Sequence, residues 1–264
     1  MKPPLVFLHI YKTAGSTLNR ILRRQYAPAQ TFSVENPTLD QFKALPVAQR
    51  EGYRYYHLHA TTHFGLAPLF PAQSRYVTML REPISRTVSA FYYTRNKADE
   101  RPFYAKVTQN IEVFAASDWQ QNFQTRALAG MVDPEEAPAD VLARAKRNIE
   151  AHFTLVGLTE RFDESLLLLQ EEFGWPTVNL TYVKVNTARD RRDPLTPADR
   201  DLVVAHNQLD LELYQFAQQR FAQQVAQQGP DFARRLSAYQ TFNQRYSKLI
   251  HFPYLVKDWL KRQG

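Results

Sequence analysis

Three short stretches carry side chains whose types and spacing suit the handling of an anion. The first, Tyr11 to Thr17, reads YKTAGST. Lys12 can reach a phosphate, Gly15 beside the small Ala14 allows close backbone approach, and Thr13, Ser16 and Thr17 carry hydroxyl donors. The nucleoside-triphosphatase loop G-x-x-x-x-G-K-[ST] places its lysine after the last glycine and follows it with a magnesium-binding hydroxyl. Here Lys12 precedes Gly15, so that chemistry is not the natural reading. The plain alternative is a strand-to-helix turn with Ser16 or Thr17 as N-cap.

The second stretch is Tyr53 to Ala60, YRYYHLHA. Side chains alternate along a strand, which puts Tyr55, His57 and His59 on one side and Tyr56, Leu58 and Ala60 on the other. Three readings of the histidines stay open on these residues alone. They are hydrogen-bonded structural histidines; or they are metal ligands, with His63 nearby; or one of them is a general base, since an unperturbed imidazole titrates near neutrality. The third stretch, Tyr76 to Tyr93, reads YVTMLREPISRTVSAFYY. Arg81 follows a buried strand and Ser89 lies about two turns into the next helix. Arg81 can grip a phosphate bidentately with Ser89 as a further donor, or it can form a surface ion pair with Glu82.

The elements that must position these groups are legible around them. Leu5, Val6, Phe7, Leu8 and Ile10 are nearly continuous in apolarity, as in a parallel strand covered on both faces. Leu18, Ile21, Leu22 and Tyr26 then recur at helical spacing, with Asn19, Arg20, Arg23 and Arg24 on the other side. A loop between such a strand and helix aims unpaired N–H groups and the positive end of the helix dipole at one point. Tyr76 to Leu80 reads as a second buried strand. Pro83 suits a first helical position, and Ile84, Val88, Phe91 and Tyr92 form an apolar stripe. In open α/β sheets ligands bind outside the carboxyl ends of the strands.

Composition bounds the rest. At 264 residues, 44% hydrophobic and 13% aromatic, the chain can bury a large core as one domain, here taken as 1–264 with a core of 1–228 and a C-terminal helical extension of 229–264. There is no cysteine, which excludes disulfides and thiolate metal sites. No apolar run approaches membrane-spanning length and no signal peptide is visible, so the expectation is a soluble, cytoplasmic protein without an integral membrane segment. Lys and Arg number 33 against 26 Asp and Glu, a net +7 that favours anionic ligands without choosing among nucleotide, acidic polysaccharide and nucleic acid.

Taken in order, YKTAGST, HLH and LREPISRTVSAFYY resemble the sulfotransferases that use 3′-phosphoadenosine 5′-phosphosulfate, in particular the Golgi-type polysaccharide branch. The H-x-H element is most similar to the uronyl 2-O-sulfotransferases of the heparan and dermatan sulfate type. The likeness runs to about Phe221 and includes GLTERFDESLLLL near Gly157. The resemblance implies that Lys12, Thr13, Ala14, Gly15, Ser16 and Thr17 surround the 5′-phosphosulfate, and that Arg81 and Ser89 hold the 3′-phosphate. It also implies that His57 or His59 deprotonates the acceptor hydroxyl. A loop rich in arginine, NTARDRRDP, offers Asn186, Thr187, Arg189 and Arg191 as further donor contacts, or is simply a charged surface loop.

The implied acceptor is a hydroxyl of an acidic or neutral polysaccharide or glycan, including uronic acids, and not a nucleic acid; the spent donor is 3′-phosphoadenosine 5′-phosphate. Sulfuryl transfer, like phosphoryl transfer, leaves the protein alignment and charge placement as its main work. The sulfuryl group carries less charge than a phosphoryl group, so Lys12 and backbone donors can stand in for magnesium and no metal is expected. His59, nearer the strand's end, is favoured as base, with His57 orienting it or the acceptor. The sequence shows neither the membrane anchor nor the cysteines of the Golgi enzymes, so their compartment is not expected to carry over. The rival readings are a P-loop small-molecule kinase, a basic glycan- or nucleic-acid-binding module without chemistry, and a metal hydrolase on His57, His59 and His63.

The expected fold is α/β, a P-loop-like three-layer arrangement with a mainly parallel central sheet. Ala27 to Glu51 reads as connection with a short helix near Leu39 to Ala44. Helices are expected over Asn110 to Leu128 and Asp140 to His152, the latter with a basic face of Arg144, Lys146 and Arg147. A strand over Phe153 to Leu158 precedes a helix with Phe162, Leu166, Leu169 and Phe173 on one side, ended by Gly174. Val178 to Val185 reads as a last strand. Thr196, Pro197 and Asp199 begin a long helix running toward Gln228. The aromatic, basic tail from Asp231 reads as packing on the core or as a homo-oligomer interface.

Overall fold

The computed structural model describes residues 3–34, 36–59, 63–130, 135–183 and 195–250. The strands are β1 (Leu5–His9), β2 (Thr31–Val34), β3 (Tyr55–His59), β4 (Arg75–Leu80) and β5 (Phe153–Leu158). The helices of the first half are α1 (Gly15–Arg23), α2 (Asn36–Ala44), α3 (Val47–Glu51), α4 (Pro83–Arg95), α5 (Pro102–Val107), α6 (Ile111–Ala115) and α7 (Phe123–Ala129). Those of the second half are α8 (Pro138–His152), α9 (Phe162–Phe173), α10 (Pro197–Ala205), α11 (Gln208–Ala226) and α12 (Phe232–Ile250). Among the described residues the strands form one sheet in the order β2-β3-β1-β4-β5, with every pairing parallel.

β1 is buried along its whole length, as its unbroken apolar run predicts for a central strand. It pairs with β3 on one side, His9 opposite His59, and with β4 on the other, Leu8 opposite Thr78. The Thr78 hydroxyl donates to the Leu8 carbonyl at 2.7 Å, tying those two strands further. One face carries Phe7, His9, Tyr55 and His57 beneath α1, where Tyr26 stacks on Tyr55 with ring centroids 5.4 Å apart. The opposite face carries Tyr56, which meets Phe42 of α2 and Phe70 edge-on.

Several expectations are met in kind and altered in extent. β2 lies within the stretch read as connection: four residues with only Val34 fully buried give too weak a pattern to read. The region from Asn110 holds two helices, α6 and α7, separated where Ser117 and Gln120 turn the chain. The long helix is two helices, α10 and α11, because the chain breaks at His206 and Asn207, where the buried Asn207 amide donates back to the Val203 carbonyl. Thr196 does cap α10, its hydroxyl accepting from the Asp199 N–H at 3.1 Å.

Residues 177–180 form a 3₁₀ turn and not the start of a strand. Arg24 of α1 explains it: its guanidinium donates to the carbonyls of Asn179 and Thr181, which consumes the groups a ladder would need. The rest of the expected strand, from Lys184, lies outside the described residues. Among the described residues β5 is the last strand, and its edge is closed by α11, from which Arg220 donates to the Phe153 carbonyl and Gln224 to the Thr154 carbonyl. Among the described residues no helix is long and apolar enough to cross a membrane. The end of the tail, including Trp259, lies outside the described residues.

The helices α4, α6 and α10 turn apolar residues to a second cluster around Ile84, Phe91, Phe114 and Val203, against which Tyr11 of the β1–α1 loop packs. On the opposite flank α9 lies close to β5 because Gly157 has no side chain: a Cβ there would meet Met79 Sδ at 2.5 Å and Ser165 Oγ at 2.9 Å. Gly157→Ala is expected to cost about 1–3 kcal/mol by overpacking, read as a lower denaturant midpoint at unchanged slope.

Candidate active site

The three chemical stretches end at one edge of the sheet, because β3, β1 and β4 are adjacent and parallel and each delivers its motif at its carboxyl end. After β1 the chain turns through Lys12 and Ala14, both in the left-handed region with φ of 69° and 64°. Non-glycine residues adopt that region at a cost, and such turns curl the backbone so that its N–H groups face inward. Ala14 occupies the N-cap of α1 without a side-chain bond, and the N–H groups of Thr17 and Leu18 both turn back to its carbonyl. The exposed Ser16 and half-buried Thr17 stand in the first helical turn.

Thr13 is fully buried and its hydroxyl donates to the Ile10 carbonyl at 2.8 Å, so that hydroxyl shapes the loop from inside. The Lys12 ammonium lies 4.1 Å from the centre of the Tyr93 ring, a cation–π contact across to α4, while Tyr11 meets Tyr93 edge-on at 5.5 Å. Arg81 reaches the same loop, its Nη1 donating to the Lys12 carbonyl at 3.3 Å. Glu82 is occupied elsewhere: its carboxylate caps α4, accepting from Ile84 N–H at 3.0 Å and Ser85 N–H at 2.8 Å. Ser89 is buried in the second turn of α4.

The histidines form a cluster larger than the sequence suggested, because His9 belongs to it. His9 and His57 are 6% and 4% exposed, and His9 Nδ1 lies 3.0 Å from His57 Nε2. His59, half-buried, sets its ring edge-on to His9 with centroids 4.9 Å apart. The Tyr55 hydroxyl donates to Asn19 Oδ1 at 2.8 Å, and Asn19 Nδ2 lies 3.2 Å from His57 Nδ1. With the amide in this orientation, His57 accepts at Nδ1, carries its proton on Nε2 and donates to His9, whose own proton is then on Nε2.

That Nε2 edge lies against Gly15, where a Cβ would sit 1.8 Å from His9 Cδ2 and 2.2 Å from Nε2. Gly15 is thus required by the imidazole beside it. Asn19, read as a surface residue of α1, is instead an interior link to His57. Burial, with the neighbouring imidazoles and Lys12 adding to it, holds His9 down from 6.5 to about 2; burial, His59 and Arg23 hold His57 down to about 3. Both are neutral at ordinary pH. Among the described residues no three metal-ligating side chains are arranged to hold an ion; His9 and His57 spend facing nitrogens on each other. Burial also lowers the pKa of His63.

Behind Arg81 lies a group of polar residues that the motifs did not point to. Gln124 and Asp210 are fully buried, and so is Arg86, whose guanidinium donates to the Gln120 side chain at 2.8 Å and to the Thr87 hydroxyl at 3.0 Å. A signal for Asp210 exists: it falls at helical spacing with Leu213, Tyr214, Ala217 and Phe221, an acid on the buried face of α11. His9, alone in an apolar strand, was the corresponding signal in β1. Asn186, Thr187, Arg189 and Arg191 lie outside the described residues.

A family model described as galactose-3-O-sulfotransferase matches residues 1–251. The chain belongs to the galactose-3-O-sulfotransferase family. It is 29% identical over 261 residues to galactose-3-O-sulfotransferase 3 of Bos taurus, covering 85% of this chain and 58% of that protein. It is 26% identical over 264 residues to the galactosylceramide sulfotransferase of Homo sapiens, covering 91% of this chain and 62% of the relative. The galactose-3-O-sulfotransferase 2 of Mus musculus is 25% identical over 265 residues, with 85% of this chain and 64% of that protein covered. The chain therefore spans about three fifths of the length of these relatives. The sulfotransferase resemblance read from the motifs is met at the level of carbohydrate sulfotransferases, while the branch is the galactose one and not the uronyl 2-O one. H-x-H is too short to separate the two.

The neutral imidazole pair makes a sign prediction. Depressed histidine pKa values mean that below 6.5 the unfolded chain binds protons that the folded chain refuses, so stability is full above 6.5 and falls as pH drops toward 3. Denaturant melts between pH 7 and 5 should show a loss approaching about 1.4 kcal/mol per pH unit for each histidine, and His57→Gln should flatten that slope. A wild-type profile that is flat over this range would show that the pair is not buried in neutral form.

Proposed function

We propose that this chain is a sulfotransferase that moves the sulfuryl group of 3′-phosphoadenosine 5′-phosphosulfate to the 3-hydroxyl of galactose in a glycan or glycolipid. The observation that carries the reading is the meeting of the Lys12 loop, Arg81 and His59 at the carboxyl edge of three adjacent parallel strands, in a chain of this family.

The residues suit the donor. The open end of α1, with Gly15, Ser16 and Thr17, presents N–H and hydroxyl donors to the 5′-phosphosulfate. Lys12, leaving its ring contact with Tyr93, neutralises charge that builds on the departing phosphate. Arg81, with Ser89, takes the 3′-phosphate. Ala14 shapes the loop and Thr13 braces it. Positive charge is supplied by side chains and the helix end, which is why the reading needs no magnesium.

His59 is the group proposed to take the acceptor proton. It is the member of the cluster that remains partly exposed. His57 and His9 are held neutral by burial, each with a ring nitrogen engaged by the other. Their place is to fix His59 by packing. Galactose is preferred over a uronic acid as acceptor because the relatives' names are galactose names and the family model is theirs.

The test is transfer of labelled sulfate from the donor, in the presence of a chelator, to a panel of terminal galactosides, galactolipids, neutral glycans without galactose and uronic-acid glycans. Label is expected on galactose at the 3-hydroxyl. His59→Ala should lower kcat by about 10²–10⁴-fold, and Lys12→Ala by about 10²-fold or more. Label confined to uronic acids would move the acceptor. No label together with magnesium-dependent ATP consumption would replace the reading by a kinase, and glycan binding indifferent to both substitutions by a non-catalytic module.

A further inference from the structure

Arg81 stands just beyond the end of β4, where the strand ladder no longer dictates its backbone. Its backbone is nevertheless paired on both polar groups by one side chain. Gln124 Oε1 accepts from the Arg81 N–H at 2.9 Å, and Gln124 Nε2 donates to the Arg81 carbonyl at 2.9 Å. An amide used in this way stands in for the next strand and fixes both backbone dihedrals of the residue it pairs. The direction in which the guanidinium leaves the chain follows from that.

Gln124 is fixed in turn. Its own N–H donates to the Asp210 carboxylate at 3.1 Å, and Thr125 donates to the same carboxylate through its N–H at 2.7 Å and its hydroxyl at 2.8 Å. Asp210 is fully buried on α11 and faces the buried Arg86; burial raises its pKa, against which Arg86 and the Thr125 and Gln124 donors act. A buried carboxylate, guanidinium and amide are no better than well-packed apolar residues at holding helices together. What they can supply and apolar residues cannot is direction, and the chain of bonds ends at the backbone of Arg81.

We propose that Gln124 is a positioning residue for Arg81, and that this amide, braced by Asp210, sets the preference for a donor nucleotide bearing a 3′-phosphate. The inference rests on the reading of Arg81 as the 3′-phosphate contact, and the test separates the two.

The experiment is calorimetric binding of adenosine 3′,5′-bisphosphate and adenosine 5′-monophosphate to the full chain, as wild type, Gln124→Leu, Arg81→Ala and the double variant. The wild type is expected to prefer the bisphosphate. Gln124→Leu should reduce that preference by about ten-fold while monophosphate affinity stays within about two-fold. In the Arg81→Ala background it should add nothing, since a residue that acts only through Arg81 has nothing left to orient.

Equal weakening of both nucleotides, an unchanged preference, or a full additional loss in the double variant would overturn the proposal. A wild type without preference would instead remove the 3′-phosphate reading of Arg81. If Gln124→Leu does not fold, Gln124→Glu serves, because its carboxylate still accepts from the Arg81 N–H but turns an oxygen on the carbonyl. A reduced preference then supports the positioning role and an unchanged one overturns it.

Discussion

Parallel pairing of β1 with β3 on one side and β4 on the other is the constraint on which the site depends. Antiparallel neighbours would send alternate loops to opposite ends of the sheet; parallel ones send all of them to the same end. Because the three strands are adjacent, the loop holding Lys12, the strand end holding His59 and the turn holding Arg81 share one edge. The registers then decide fine geometry. His9 faces His59 across one pairing, and the Thr78 hydroxyl on the other side locks β4 to the Leu8 carbonyl.

Close contact at that edge is bought with glycine and with buried polar order. Gly15 leaves room for the His9 ring, so the start of α1 settles directly over an imidazole. A hydrogen-bond chain from Tyr55 through Asn19 and His57 to His9 ties α1 to the two buried rings. On the other side of β1, Asp210, Gln124 and the Arg81 backbone make a second such chain. The two chains flank the loop and are built from different elements. The loop is thus held between a neutral imidazole wall and an oriented cation.

This distribution of charge suits the chemistry proposed. Burial keeps His9 and His57 neutral and leaves them as packing and hydrogen-bonding groups. Positive charge stands instead on Lys12 and on Arg81, which donates to the Lys12 carbonyl. The half-buried His59, at the end of β3, keeps contact with solvent. Separation of a proton-accepting side from an anion-binding side is what transfer of a negatively charged group to a hydroxyl asks of a protein.

Much of the fold was written locally. The unbroken apolar run of β1, the proline at the start of α4, the glycine that ends α9 in the left-handed region and the Thr196 cap all act through nearest neighbours, and each is where the residues put it. The three chemical stretches were legible for the same reason: lysine, glycine and hydroxyls close together, or histidines two apart, carry their chemistry in their spacing. Long-range partners were not legible, since Asn19 on α1, His9 on β1 and Gln124 before Asp210 acquire their roles from residues 36, 48 and 86 positions away. The break at His206 and the loss of a strand after Pro176 likewise reflect tertiary bonds that override local pattern, from the Asn122 N–H to the His206 carbonyl and from Arg24 to the Asn179 and Thr181 carbonyls. The sequence by itself determined which side chains could bind an anion and take a proton; only the tertiary structure decided which of them are neutral, which are braced and which face one another, because burial and hydrogen-bond partners are properties of the packed chain.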